Sequence, residues 1–228
     1  EMQFIDFISC AYDMLTNYVA TARYRAFLPC PMVVRGPSGG YVRGGPFHSQ
    51  NPEAAFLHTP GLKIAYPATA EDAKGLIKSA IRDADPVLFF EHKYLYRRIK
   101  GTMPAGDHLV PFGKARVARE GKDLTIVTYA ATVWKALEAA EQLAAEDGLS
   151  VEVLDLRTLL PMDHEAIVAS VKKTNRVLIV HEDTVTGDAF DPAITLADGP
   201  YEDVQVEIAD FTHTFDTTLG ATKGKGAK

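Results

Sequence analysis

Arg35-Gly-Pro-Ser-Gly-Gly-Tyr-Val-Arg-Gly-Gly-Pro-Phe-His-Ser-Gln-Asn-Pro-Glu-Ala-Ala-Phe-Leu-His-Thr-Pro60 is the stretch on which the reading of this chain turns. It follows an apolar, β-type run, Met32-Val33-Val34, and is too rich in glycine and proline to form one regular element. A connection of this length inside a compact domain is usually functional or disordered. Its content argues against disorder. Gly36, Gly39, Gly40, Gly44 and Gly45 let backbone approach a ligand closely or adopt positive φ, while Tyr41, Phe47 and Phe56 offer apolar anchors. His48 stands among small residues, so its imidazole can face a cleft. On composition alone two readings stay open: a ligand-binding loop, or a glycine-rich surface loop with a bystander histidine.

Upstream, Glu1 to Phe4 reads as the end of a strand. From Asp6 the apolar positions Phe7, Ala11, Leu15, Tyr18 and Ala22 recur at helical spacing, which predicts one helix to about Tyr24. Downstream, Leu62–Tyr66 reads as a strand, and Thr69 as the N-cap of a helix carrying Ala73, Leu76, Ile77 and Ala80. Val87–Phe90 is a nearly all-apolar strand. Tyr94 to Gly121 is dominated by charged and turn residues, and a linker is expected over 101–122.

A second unit follows: strand Leu124–Tyr129, a helix with Val133, Leu137, Ala140 and Leu143 on one stripe, and Gly148 as its C-cap. Then come strand Ser150–Leu154, a helix near His164–Lys173 and strand Arg176–Val180. Strands alternating with helices predict an α/β protein built from two parallel-sheet units, residues 1–100 and 123–219. Within the second unit Val204–Ile208 alternates like a strand. The lysine- and glycine-rich tail 220–228 is expected to be mobile.

The 228 residues carry a net charge of −6 and 46 % hydrophobic content, enough for one or two real cores. The lysines and arginines are dispersed rather than striped, which with the acidity gives no support to nucleic-acid binding. The 2 cysteines, Cys10 and Cys30, lack metal-ligand spacing and suit a reduced, cytoplasmic protein better than a disulfide scaffold. No stretch is apolar for long enough to span a bilayer, so no membrane partner is expected.

The run Gly36–Glu53, followed by His58-Thr59-Pro60-Gly61-Leu62-Lys63, closely resembles the β part of the E1 component of 2-oxo acid dehydrogenase complexes. These are thiamine-diphosphate enzymes of the transketolase-like superfamily. The similarity continues through Asp85–Arg97, Phe112-Gly113-Lys114-Ala115-Arg116, Asp155–Pro161 and His181-Glu182-Asp183-Thr184, and ends by about Gly187. Met14 stands where many relatives carry glutamine, and Pro46 where many carry a histidine. Pro46 and Tyr41 resemble bacterial forms in which both halves are fused.

The resemblance implies a pyrimidine-binding domain, beginning part-way through, followed by a transketolase C-terminal-like domain. It implies oxidative decarboxylation of pyruvate or a branched-chain 2-oxo acid on thiamine diphosphate, with acyl transfer to a lipoyl arm. The implied partners are an E1 α-like subunit or half, a second copy of the chain, and the lipoyl-bearing E2 component. In the family Phe7 occupies the position whose ring packs on the aminopyrimidine; its spacing alone favours an ordinary core phenylalanine. His48 matches the histidine facing the thiazolium and the lipoyl entrance, where a side chain that titrates near neutrality is needed. His58 matches too, as a loop-ordering residue. His181 reads either as a core histidine or as an interface contact, and Glu91 with Arg97 as a charge pair at the domain edge.

The family's cofactor-activating glutamate lies upstream of the matching segment. Its Gly-Asp-Gly plus Asn metal signature has no counterpart, since Gly187-Asp188-Ala189 lacks the second glycine and the asparagine. The resemblance thus implies thiamine diphosphate and magnesium shared with an α-like half, no metal ligands in this segment, and an inactive isolated chain. A non-catalytic scaffold or incomplete fragment is the alternative. A transketolase-like or deoxyxylulose-phosphate-synthase-like half is disfavoured by the His-Ser-Gln-Asn-Pro-Glu context.

Overall fold

The computed structural model describes residues 1–183 and the strand 205–210. The expectations for Gly187-Asp188-Ala189 and for the tail 220–228 lie outside the described residues.

The chain enters through two helical turns of unusual pitch, Ile5–Ala11 wound as 3-10 helix and Met14–Val19 as π-helix, before α1 (Ala22–Ala26). This differs from the single amphipathic helix expected from Asp6 to Tyr24. A 3-10 turn repeats every three residues, so Ile5 and Ile8 share the buried face, and the wider π turn resets the phase for Leu15. Phe7 and Tyr18, expected on the apolar stripe, are left exposed. Glu1–Phe4 is not a strand; it meets β1 through one backbone bond, Met2 N–H to the Arg35 carbonyl (2.8 Å), and a longer one from the Arg35 guanidinium to Glu1 (3.4 Å).

β1 (Val33–Ser38) continues into the glycine-rich segment, which then forms a loop and the single turn α2 (Ala54–Leu57). β2 (Lys63–Ala65), α3 (Ala70–Arg82) and β3 (Val87–His92) complete a parallel β1-β3-β2 arrangement. Thr69 caps α3 as expected, its Oγ1 accepting from the Asp72 N–H (3.1 Å). β3 is covered on both sides, hence its unbroken apolar run. Val87 and Phe89 pack with Leu76 and Ala80 of α3, while Leu88 and Phe90 join Ile64 and Tyr66 on the other face.

The second sheet has the order β4-β6-β5-β8-β9, from β4 (Arg116–Arg119), β5 (Leu124–Thr128), β6 (Val151–Asp155), β8 (Arg176–His181) and β9 (Gln205–Asp210). α4 (Thr132–Glu146) and α5 (His164–Thr174) lie between its strands in sequence. α4 buries Ala136 and Ala140 against Ile126, Val153 and Val180; Val133 is buried as well, with Leu137 and Leu143 only half-buried. β4 is antiparallel to β6 and lies within the stretch expected as linker. Its Arg116 and Arg119 made it look like a connection, but charge is also how an edge strand is kept from pairing further.

The Asp155–Pro161 motif does what no single-unit reading anticipates. β7 (Thr158–Leu160) leaves the second sheet and pairs antiparallel with β2, Ile64 opposite Leu160 and Ala65 opposite Thr158. Each sheet is therefore parallel with one antiparallel edge, and one apolar core runs through both, from Ile5, Phe56 and Leu88 to Val127, Leu154 and Leu159.

A buried ionic cluster fixes the crossing. Asp155, fully buried, accepts from Arg116 Nη2 (2.9 Å) and the Arg157 N–H (3.1 Å). Burial pushes its carboxyl up to about 6, against the pull of Arg116. Arg157 donates to Asp72 Oδ1 (3.2 Å) at the start of α3 and to the Lys114 carbonyl (2.9 Å). Arg157→Ala removes the partner of Asp72 Oδ1, leaving Oδ2 with the Thr69 hydroxyl (2.7 Å) and Arg116 (3.5 Å), and should lower unfolding free energy by about 2 kcal/mol, the scale of a hydrogen bond to a charged group, measured as a reduced urea midpoint at unchanged slope.

Candidate functional site

The carboxyl ends of β1 and β3 face those of β5 and β8 across the joint between the sheets, the place where open α/β sheets present ligands. The glycine-rich loop leaves the end of β1 and is closed at its stem by the Gly39 N–H to the Gln50 carbonyl (3.0 Å). Gly39, at φ +77°, lies so close over the His92 ring that no Cβ fits between them. Beyond it Tyr41 (φ 64°) and Arg43 (φ 59°) hold left-handed conformations, each costing about 1 kcal/mol or more.

His48 returns from this loop with its ring oriented by its own backbone. Nδ1–H donates to the Gly44 carbonyl (3.1 Å), which leaves Nε2 as the nitrogen that can take up a proton. Phe4 stands edge-on to the imidazole at 4.4 Å between centroids and Phe7 at 5.7 Å. The two residues singled out in the sequence, Phe7 and His48, are thus brought together. Phe7 is 46 % exposed and is no core residue. Its open face and the half-exposed imidazole are what this site offers a planar heteroaromatic group.

Phe4 and Lys93 were not legible as site residues. Phe4 precedes Phe7 by three positions, one 3-10 turn, and both rings meet His48. Lys93 follows β3 directly; its Nζ lies 5.7 Å from the Phe4 ring centroid and has no hydrogen-bond partner among the described residues. Desolvation lowers its pKa, opposed by the carboxylates of Asp6 and Glu182. Asp6 in turn holds the loop, its Oδ1 accepting from the Gln50 N–H (2.9 Å).

The second unit grips the same loop. Glu182, just after β8, accepts the Gly40 N–H on Oε1 (2.7 Å) and His92 Nε2 on Oε2 (2.5 Å). The Tyr94 N–H donates to His92 Nδ1 (3.3 Å), so the ring proton resides on Nε2 and points at Glu182. Farther along, the Tyr66 hydroxyl donates to Asn51 Oδ1 (2.8 Å) and pairs with Ser38 Oγ, while the Tyr129 hydroxyl donates to Glu53 Oε1 (3.0 Å). Asn51, Glu53, Tyr66, His92, Tyr129 and Glu182 line a narrow polar crevice at the joint.

His181 is wholly buried there, stacked on Tyr129 at 6.2 Å, which makes it a core histidine of the joint. His58 is exposed at the end of α2. Glu91 pairs with Arg35 (2.8 Å) and accepts from the Tyr96 hydroxyl (2.7 Å) rather than pairing with Arg97, because β1 lies beside β3 and delivers Arg35 to it. Among the described residues no three His, Cys, Asp or Glu side chains converge on a metal position. The exposed ring of Phe7 beside the half-exposed imidazole of His48 fits one face of a flat heteroaromatic cofactor ring.

Glu53 is 1 % exposed, and burial together with the neighbouring Asp183 carboxylate raises its pKa well above the ordinary range. A raised pKa in the folded state means stability that is present while the group is protonated and is lost as pH rises toward that raised value. Melting temperature should therefore fall from pH 5 toward pH 9 in the parent protein more steeply than in Glu53→Gln, which keeps the Tyr129 bond without the charge. Parallel curves in differential scanning calorimetry would refute this.

Residues 1–98 match the transketolase pyrimidine-binding domain and residues 113–210 the transketolase C-terminal domain. The chain is 54 % identical over 189 residues to the 2-oxoisovalerate dehydrogenase subunit beta of Bacillus subtilis, covering 82 % of this chain and 58 % of that protein. It is 42 % identical over 184 residues to the pyruvate dehydrogenase E1 component subunit beta of Staphylococcus aureus, covering 80 % of this chain and 56 % of that one. It thus spans little more than half the length of these curated relatives. Among solved structures, a split-gene transketolase described as an inactive β4 tetramer superimposes with a TM-score of 0.73 at 25 % identity, over 91 % of this chain and 65 % of that one. With the two domain models matching most of the chain in order, the chain belongs to the transketolase family and is similar to the E1 β subunits of 2-oxo acid dehydrogenases.

Proposed function

We propose that this chain is the β-like part of a 2-oxo acid dehydrogenase E1, acting on pyruvate or a branched-chain 2-oxo acid and passing the acyl group to a lipoyl arm. The observation that carries the reading is His48, held in one tautomer by Gly44 and ringed by Phe4 and Phe7, inside the motif shared with the E1 β relatives. Thiamine diphosphate, when bound, supplies the electron sink that lets a 2-oxo acid lose carbon dioxide. Phe7 would pack on its aminopyrimidine and exclude water. With Nδ1 committed to Gly44, His48 exchanges protons at Nε2, and the lipoyl sulfur released as the disulfide opens takes its proton there. We assign magnesium and the diphosphate to the α-like half.

His48→Ala tests the reading in the complete enzyme. Overall complex activity should fall roughly 100-fold, the scale of one general acid–base group, while decarboxylation followed with an artificial electron acceptor falls much less. Equal losses in both assays, with a lowered melting temperature, would return His48 to a loop-ordering role.

The proposed partners are an α-like subunit, a second copy of the chain and the lipoyl-bearing E2 component. Tyr18, Tyr24, Phe27 and Leu28 are 62 %, 87 %, 88 % and 60 % exposed within one short segment, an apolar surface that monomers seldom leave open. The β4 assembly of the split-gene transketolase is a precedent for pairing between β-like chains, and its inactivity for the need of a partner. Light scattering should give a dimer or larger for the isolated chain, and the double variant Tyr24→Ser, Phe27→Ser should move it toward monomer; a monomeric parent would count against self-association.

A further inference from the structure

We infer that Glu182 is a positioning residue for His48: a carboxylate of the C-terminal unit that clamps the stem of the loop presenting the histidine, so that the second unit sets the register of the first unit's catalytic side chain. The inference rests on the reading of His48 given above.

The loop from Gly39 to Gln50 is tied at few points. Its stem closes on itself through Gly39 and Gln50, and Asp6 holds the returning strand at the Gln50 N–H (2.9 Å). The outgoing strand is held by Glu182 through the Gly40 N–H (2.7 Å), and next to it the Tyr41 ring packs on Tyr94 at 4.5 Å between centroids. The tip, Val42 to Phe47, is exposed, and two non-glycine residues near its start, Tyr41 and Arg43, hold left-handed backbone. A strained, exposed tip relaxes unless its stem is fixed.

Glu182 suits this task because it is itself fixed. It is 10 % exposed in its side chain and its second oxygen is taken by His92 Nε2 at 2.5 Å. His92 is the last residue of β3, and its ring fills the space beneath Gly39, where no Cβ fits. One carboxylate therefore fixes both the ring on which the stem rests and the amide next to it. Charge-assisted bonds of this kind are the stronger class, and here they are sheltered from water. His48 lies eight residues beyond Gly40 on the same loop, so any sliding of the stem moves the imidazole against Phe4 and Phe7.

The experiment measures backbone hydrogen exchange over residues 39–50, together with the two activities of the complete enzyme. Glu182→Gln keeps the shape and can still accept from Gly40, but its amide cannot accept from His92. Exchange in the loop should accelerate roughly 10- to 100-fold. Lipoyl-linked activity should fall at least about tenfold, with decarboxylation to an artificial acceptor within about twofold. His92→Gln keeps a charged carboxylate on the Gly40 N–H, where Glu182→Gln leaves only a neutral amide oxygen, so it should show a smaller effect of the same kind and keeps the test alive should Glu182→Gln not fold.

Trp134→Phe is the control. It removes a different bond between the units, Trp134 Nε1–H to the Ala68 carbonyl (2.8 Å), and should lower stability without changing loop exchange or the ratio of the two activities. Unchanged loop exchange in Glu182→Gln overturns the inference, as does an equal change in Trp134→Phe. A loosened loop with both activities lowered alike leaves the clamp standing and removes the His48 reading beneath it.

Discussion

The arrangement of this protein depends on one strand that changes sheets. Within three residues of the end of β6 the chain has left the sheet it was building and added β7 to the edge of β2. That move fixes the second unit against the first more firmly than a flexible connection could. Its consequences reach the site, because only with the sheets so placed do the carboxyl ends of β1 and β3 face those of β5 and β8. Arg157 makes the turn possible: at φ 60° it redirects the backbone, and its guanidinium ties Asp72 of one unit to the Lys114 carbonyl of the other.

Where the two units meet, apolar packing gives way to a layer of paired polar groups. An isolated buried carboxylate would cost several kcal/mol, so each of these must be bonded or neutral. Glu182 takes the first course, with His92 and the Gly40 amide as partners. Glu53 takes the second: with Tyr129 on one oxygen and Asp183 nearby, its neutral form is favoured. Such a layer is more specific than a greasy one, since a small displacement leaves donors and acceptors unmatched. It is also placed where specificity is needed, directly behind the loop that carries His48.

The aromatic cluster around His48 shows how an irregular element can create a site. A regular α-helix from Asp6 to Tyr24 would have turned Phe7 inward with Leu15. The 3-10 winding keeps Ile5 and Ile8 in the core and places Phe4 and Phe7 together on the side of the loop. The same departure from α-geometry misleads a periodicity argument, which assumes a single repeat throughout.

The sequence by itself determined most of the strands, most of the longer helices, the Thr69 cap, the family and the identity of His48 and Phe7 as residues to watch. These follow from local chemistry: β-branched runs, capping side chains and a motif whose residues are contiguous. Only the tertiary structure decided that β4 is an edge strand and not a linker, that Glu91 pairs with Arg35, that Phe4 and Lys93 border the site, and that Glu182 holds the loop. Each of these joins residues far apart in the chain, Gly40 with Glu182 and Arg157 with Asp72 among them. Hydrogen bonds and ion pairs of that kind leave no periodic trace along a sequence, because their partners are chosen by where the sheets bring the backbone and not by spacing.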